Sequence, residues 1–167
     1  MSRIFLIAML LFCALQSCNS NQKSIDKIIS KYDSSDFSCL KNTYIETRSV
    51  NKDDIVLLVS KYNLHCNPYI VWVNSKTKKI TRIDDNLPIR DCAGYFTNTE
   101  IKFYIDFFLK VNFMVLGVDN EDNVYINPNY YDLPFLVRKS KKTNAKDLKD
   151  YKLYKGDWYI KKGSVTD

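Results

Sequence analysis

The chain has 167 residues, of which 46% are hydrophobic and 26% charged, and its formal net charge is +6. This balance is typical of one folded globular domain and excludes a disordered chain. The four glycines are isolated and nothing repeats at a fixed period, which excludes Gly-rich phosphate loops, dinucleotide fingerprints and solenoids. A chain of this size can hold a core without staples, so a dense disulfide scaffold is excluded as well.

The first residues have the pattern of a secretory signal peptide. Arg3 supplies a positive charge, and residues 4–15 form an apolar stretch of twelve residues, too short for a membrane-spanning helix of about 20 residues. Residues 15–18, Leu-Gln-Ser-Cys, resemble the lipobox of bacterial lipoproteins. That resemblance implies cleavage before Cys18 and a diacylglycerol on its sulfur. An ordinary cleavage site beside a chance cysteine is the alternative.

These features predict a lipoprotein signal peptide over residues 1–17, a flexible tether over residues 18–24 and a single domain over residues 25–167. The lipid bilayer is then the first partner, because more than one acyl chain gives stable anchoring. Asn19 follows the cysteine, so the aspartate that resembles an inner-membrane retention signal is absent. We expect a lipid-anchored protein of the cell envelope, at the outer membrane and facing the periplasm or the surface.

The first half of the mature chain predicts helices and strands in mixed order. Residues 25–32 place four apolar side chains on one stripe and predict a short amphipathic helix. Residues 37–50, rich in Thr, Tyr and Ile, predict a strand. Residues 51–61 predict a second helix, because acidic residues begin it and a lysine ends it, although its β-branched middle also suits a buried strand. Residues 69–73 and 79–83 predict a hairpin.

The second half predicts one helix and several hairpin strands. Residues 97–100, Thr-Asn-Thr-Glu, form a capping box before an apolar helical stripe. Residues 113–118 and 123–126 predict a hairpin around an acidic turn, residues 134–138 predict a strand, and residues 152–161 predict a last hairpin. The fold class is therefore α+β: a single small domain with a mainly antiparallel sheet built from hairpins and two to three helices.

The last hairpin has a predicted two-residue turn of Gly and Asp. In that register Leu153 lies opposite Ile160, and Tyr154 lies opposite Tyr159. Because side chains alternate along a strand, Leu153, Trp158 and Ile160 are expected in the core. The two tyrosines are expected together on the exposed face.

Positive charge is concentrated at the C-terminal end. Residues 18–137 hold 14 basic and 15 acidic side chains, whereas residues 138–167 hold 10 and 4. An exported, tethered protein does not meet the chromosome, so no nucleic-acid partner is expected. Anionic lipid headgroups or a protein with an acidic surface are the expected partners of the basic segment, residues 138–149. Lysines that merely solvate an exposed loop are the alternative.

The predicted binding face combines Tyr154 and Tyr159 with Lys141 and Lys142 of the basic segment. Aromatic rings give contact area, and lysines steer an acidic partner towards it. Aromatic residues that only fill the two faces of a sheet are the alternative.

Three cysteines remain beyond the anchor: Cys39, Cys66 and Cys92. In an oxidising compartment, two of the three are predicted to form a disulfide and one to stay a thiol. Buried free cysteines are the alternative, and no spacing is typical of a zinc site.

No catalytic constellation is visible in the sequence. His65 is the only histidine, and the adjacent Cys66 would point to the opposite side of an extended strand. The acidic turn of residues 119–123 has Val124 and Tyr130 where a calcium loop needs Gly and Glu. We therefore predict no catalytic residue, metal or cofactor, and a hairpin tip at this turn.

The sequence thus predicts a protein that binds and does not catalyse. The leading hypothesis is a membrane-anchored protein-binding module, with an inhibitor or an immunity-type partner as the candidate forms. A lipoprotein that binds a small ligand or a glycan is the alternative. An envelope hydrolase with an unrecognised carboxylate or cysteine site is the third hypothesis.

Overall fold

The computed structural model describes residues 22–62, 66–84, 94–129 and 135–163. The described residues form nine strands and two α-helices: α1 (22–32), β1 (Thr43–Val50), β2 (Asp54–Ser60), β3 (Tyr69–Asn74), β4 (Ile80–Asp84), α2 (Asn98–Val111), β5 (Val115–Val118), β6 (Val124–Asn127), β7 (Leu136–Arg138), β8 (Tyr151–Lys155) and β9 (Trp158–Lys161). All pairings are antiparallel, and the strand order is β4-β3-β2-β1-β5-β6-β7-β9-β8. The predicted α+β class with a mainly antiparallel sheet is confirmed. The signal peptide and Cys18 lie outside the described residues.

Helix α2 forms where the capping box predicts it. The Thr97 hydroxyl accepts from the Glu100 N–H at 3.2 Å, and the Glu100 carboxylate accepts from the Thr97 N–H at 2.7 Å. At the other end, Asn112 in a left-handed conformation donates its N–H to the Phe108 carbonyl. The buried stripe of the helix packs on one face of the sheet: Ile101, Tyr104, Ile105 and Phe108.

Helix α1 packs on the same face and includes residues 22–24, which the sequence assigned to the tether. Ile25 and Ile29 are buried in the main core, as the helical stripe predicts. Tyr32 is also buried, and its hydroxyl donates to the Val111 carbonyl at 2.9 Å. This bond joins the ends of the two helices.

The prediction of a helix over residues 51–61 is wrong, because this segment contains β2. Its side chains alternate between buried and half-buried, and Ile55, Leu57 and Val59 face the core. The strand pairs on both sides, with β1 and β3. Pairing on two sides and β-branched side chains outweigh the favourable placement of charges at the helix ends. Of the strand predicted over residues 37–50, Thr43–Val50 forms β1, and Ser38–Leu40 forms a short 3₁₀ helix.

The predicted hairpins are confirmed for β3 with β4 and for β5 with β6. In the hairpin of β5 with β6, the chain reverses at the predicted acidic turn, residues 119–123. Strand β7 pairs with β6 and then with β9, so the last hairpin forms the end of the sheet opposite β4.

The register of the last hairpin differs from the predicted one. Its turn is the predicted one, because Lys155 lies opposite Trp158. The register then shifts at Tyr154, so that Leu153 lies opposite Tyr159. One extra residue in a strand moves every later side chain to the other face. Leu153 is consequently 62% exposed instead of buried, while Trp158 and Ile160 lie in the core as predicted.

Candidate functional site

The sheet face away from the helices carries four half-buried tyrosines, here called the tyrosine row: Tyr44, Tyr62, Tyr125 and Tyr151. Tyr44 and Tyr125 flank Gly117 of β5, because the three residues pair across adjacent strands. Tyr62 stacks on Tyr125 with ring centroids 4.9 Å apart and meets Tyr44 edge-on at 6.3 Å. Tyr151 continues the row at 6.4 Å from Tyr125. The four rings form one continuous aromatic surface.

Gly117 lies directly against the rings of Tyr44 and Tyr62. A Cβ at this position would lie 3.0 Å from Cε2 of Tyr62 and 3.1 Å from Cδ2 of Tyr44. Both distances are shorter than an ordinary van der Waals contact, so any side chain here would displace the rings. A glycine inside a strand typically marks such a close approach.

Two carboxylates fix hydroxyls of the tyrosine row. The Tyr44 hydroxyl donates to Oε2 of Glu46 at 3.2 Å, and the Tyr125 hydroxyl donates to Oδ2 of Asp119 at 3.1 Å. Burial raises the pKa of Tyr62 to about 12. Burial and the neighbouring carboxylates also raise the pKa values of Tyr44 and Tyr125. These hydroxyls therefore stay protonated at physiological pH.

Asp119 also organises the turn between β5 and β6. Its carboxylate accepts from the backbone N–H groups of Glu121 at 2.9 Å and Asn123 at 2.8 Å. The Asn123 amide donates to Asp119 and to the Thr143 hydroxyl, and it accepts from the Ser140 N–H. This network ties the hairpin tip to the start of the basic segment.

Arg138, the first residue of the basic segment, has a structural role. Its Nη1 donates to three carbonyls at the end of α1: those of Tyr32 at 2.8 Å, Asp33 at 2.9 Å and Ser35 at 2.8 Å. A cation at a helix C-terminus satisfies carbonyls that lack partners within the helix and favours the helix dipole. Arg138 therefore stabilises the fold, and the alternative that the basic segment only solvates an exposed loop does not hold for this residue.

The two predicted contact lysines are both exposed, but only Lys142 has a described ion pair. Its Nζ pairs with Oδ2 of Asp122, whose Oδ1 lies 3.0 Å from Nζ of Lys41. Hydrogen bonds from Lys142 and Lys41 lower the pKa of Asp122, and the same contact raises the pKa of Lys142. Lys141, the preceding residue, is exposed, and no hydrogen bond or ion pair of its side chain is among the described contacts.

Further along the basic segment, Lys146 and Lys149 lie close to Leu148 in the sequence. Both are exposed and flank Leu148, which is buried against Val137 and Tyr159. Tyr125 and Tyr151 pack against this same small cluster. Leu148 therefore brings this stretch, with its two lysines and with the exposed Asp147 and Asp150, next to the tyrosine row.

Tyr154 and Tyr159 do not share an exposed face, so that part of the sequence prediction is wrong. Tyr159 is only 8% exposed and fills the small cluster beneath the tyrosine row. Tyr154 packs against the main core, and its hydroxyl donates to Oδ1 of Asp26 in α1 at 3.1 Å. The register shift in β8 places them on opposite sides of the sheet.

The described cysteines differ in state. Cys39 is an exposed residue with a free thiol, and partial burial of its sulfur is the main cause of its raised pKa. Cys66 is disulfide-bonded, and its partner lies outside the described residues, as do Cys92 and His65.

A cavity of about 170 Å³ lies between the C-terminal end of α2 and the helix-covered face of the sheet. Leu57 and Phe108 line its apolar part, and Lys78 and Asn112 also contribute to its wall. It is smaller than the roughly 300–1,000 Å³ of pockets that hold drug-sized ligands. Among the described residues, no group of three or more His, Cys, Asp or Glu could hold a metal ion, and no helix there is long and apolar enough to cross a membrane.

Comparison with protein-family models, curated proteins and solved structures finds no match to this chain. Sequence reasoning missed Tyr44 and Tyr62 because they meet Tyr125 only through the pairing of β1 with β5, strands that lie far apart in the chain. The glycine inside the apolar strand β5 was the available signal.

Proposed function

We propose that this chain is an envelope lipoprotein, anchored through acylated Cys18, whose domain binds a protein partner with an acidic surface. The observation that carries the proposal is the tyrosine row, next to which the basic segment packs through Leu148. A partner relationship of inhibitor or immunity type, directed at an envelope-acting enzyme or toxin, fits a tethered domain of this kind.

The tyrosine row has the properties of an interaction surface. The solvent face of an antiparallel sheet is usually polar, whereas this one carries four contiguous, half-buried aromatic rings. Tyrosine is enriched at binding hot spots because a rigid ring gives a large contact area at low entropic cost. Strands and carboxylates already hold Tyr44 and Tyr125 in place, which reduces the ordering cost of binding further.

The lysines around the aromatic surface favour an acidic partner. Lys141, Lys146 and Lys149 are exposed in the segment that packs next to this surface through Leu148. Rim charges mainly accelerate association, and their effect weakens as salt screens them. Binding should therefore weaken with rising ionic strength.

The test compares variants for binding to the protein that co-purifies with the tethered chain. Tyr62→Ala should weaken binding by about 2 kcal/mol, which is roughly 30-fold, as expected for a hot-spot residue. Lys149→Glu should slow association at low salt and have little effect at high salt. Phe103→Ala is the matched control, because Phe103 is 51% exposed on α2, on the other side of the sheet. A stable Tyr62→Ala variant that retains full affinity would contradict the proposal.

Glycan binding is the second candidate, favoured by the carboxylates beside the rings. Sugar rings stack on aromatic side chains, and Glu46 and Asp119 could accept hydrogen bonds from sugar hydroxyls. Binding to a neutral glycan would be insensitive to salt and to Lys149→Glu, but sensitive to Tyr62→Ala. That combination would favour the glycan over the acidic protein.

The anchor has its own test. A clickable fatty-acid label should appear on the wild-type protein and be absent from Cys18→Ala. A wild-type chain that takes up no label, or a variant that stays in the membrane fraction as the wild type does, would refute the anchoring.

A further inference from the structure

The beginning of helix α1 lies directly against the edge strand β8. The Tyr154 hydroxyl donates to Oδ1 of Asp26 at 3.1 Å, and its side chain also hydrogen-bonds with Gln22. Tyr154 packs against the main core, so this contact belongs to the fold and not to a mobile end. The first described turn of the chain is thereby fixed beside one edge of the sheet.

The length of the preceding chain limits where Cys18 can be. Cys18 precedes Gln22 by four residues, and four fully extended residues span at most about 13–14 Å. An acyl anchor on Cys18 therefore holds the start of α1, and β8 beside it, within about that distance of the bilayer surface. The start of α1 and the part of β8 around Tyr154 must then lie close to the membrane.

The charges of this region suit an anionic surface. Residues 22–27 and β8 together hold four lysines, Lys23, Lys27, Lys152 and Lys155, against one acidic residue, Asp26. Asp26 is occupied as the acceptor of the Tyr154 hydroxyl. Lys23, Lys27 and Lys155 are exposed. Lysines on an edge strand, together with a bulge, also disfavour pairing with a second copy of the chain.

We propose that the start of α1 and the edge strand β8 form a docking surface for a bilayer with anionic headgroups. This inference rests on the proposed anchoring of Cys18 and adds an orientation to it: the domain lies with β8 on the membrane. Basic residues next to a lipid anchor strengthen the hold on an anionic leaflet.

The experiment measures lysine acetylation by mass spectrometry on the full, lipid-modified protein. The protein is compared in detergent micelles, in neutral phosphatidylcholine vesicles and in vesicles rich in anionic phosphatidylglycerol. Lys23, Lys27 and Lys155 should react about fivefold more slowly on the anionic vesicles than in micelles, the factor that matches the attraction of one lysine to an anionic surface. Lys76 and Lys78 are the control, because the turn between β3 and β4 lies near the far edge of the sheet, roughly 38 Å away for eight strand spacings.

Each outcome separates this inference from the anchoring on which it rests. Protection of the α1 and β8 lysines on anionic vesicles alone, with the control lysines unchanged, supports the docking surface. Equal protection on neutral vesicles would overturn the assignment to anionic headgroups. A fatty-acid-labelled protein whose lysines react as fast on anionic vesicles as in micelles would overturn the docking surface and leave the anchor intact. Absence of the label from Cys18 would refute the anchor itself and this inference with it.

Discussion

Replacing Gly117 by alanine should destabilise the domain through the tyrosine row. Alanine alone would favour the strand over glycine by about 0.5–1 kcal/mol, because glycine loses more backbone freedom on folding. Against this gain, the new Cβ would lie 3.0 Å from the Tyr62 ring and 3.1 Å from the Tyr44 ring. Overpacking of this kind costs about 1–3 kcal/mol. The net expectation is a loss of about 1 kcal/mol in the free energy of unfolding.

The same substitution should lose its cost when Tyr62 is removed. In a Tyr62→Ala background the nearest ring is absent, and the Tyr44 ring can move into the vacated space. Gly117→Ala should then be neutral or stabilising by up to about 0.5 kcal/mol, which gives a coupling energy of about 1–2 kcal/mol between the two positions. Urea unfolding of the wild type, both single variants and the double variant, followed by tryptophan fluorescence, measures this cycle.

The cycle also tests the geometry of the site. Effects of the two substitutions that add to within about 0.5 kcal/mol would mean that the Tyr62 ring does not lie on Gly117. A stabilising Gly117→Ala in the wild-type background would contradict the close approach of both rings. In either case the tyrosine row would not be the rigid surface on which the proposed binding depends.

Three further predictions concern the fold, the pH dependence and the thiols. Arg138→Met should lower the free energy of unfolding in urea by about 2–3 kcal/mol, because three carbonyls at the end of α1 lose a charged donor. Arg138→Lys should recover part of this stability, and a loss below about 0.5 kcal/mol in Arg138→Met would contradict the capping role. Folding raises the pKa of the Tyr62 hydroxyl from about 10 to about 12, so its contribution to the free energy of unfolding is complete below pH 10 and is lost as the pH rises through 12. In unfolding measurements at several pH values, Tyr62→Phe should therefore lose less stability at alkaline pH than the wild type. Alkylation of the protein from its native envelope without reduction should label Cys39, whereas Cys66 is disulfide-bonded and should react only after reduction. Label on unreduced Cys66 would refute the disulfide, for which we expect Cys92 to be the partner.

The sequence was most informative where a short segment determines its own structure. The capping box from Thr97 to Glu100 satisfies helix N–H groups with side chains three residues apart, so it can be recognised without the rest of the fold. The hairpins of β3 with β4 and of β5 with β6 depend on turns of a few residues between apolar runs. These local signals were enough to predict the fold class.

The errors occurred where distant parts of the chain decide. Asp53, Asp54 and Lys61 match the ends of a helix, but β1 and β3 supply partners on both sides that make β2 a strand. The bulge at Tyr154 has no turn residue to mark it, and its side chain is drawn to the core by α1. The tyrosine row depends on the pairing of β1 with β5, which no local pattern encodes.

The attachment of α1 also determines how the domain would respond to mechanical force. A pull on the N-terminal end of the chain reaches the sheet through this helix, which is fastened near its start by Tyr154 of β8. Near its end it is fastened by Arg138 of β7 and by Trp158 of β9, whose indole N–H donates to Asp33 at 2.7 Å. Because the fastenings lie at both ends of the helix and on three strands, tension is shared among them. The helix should therefore resist being peeled from the sheet one bond at a time.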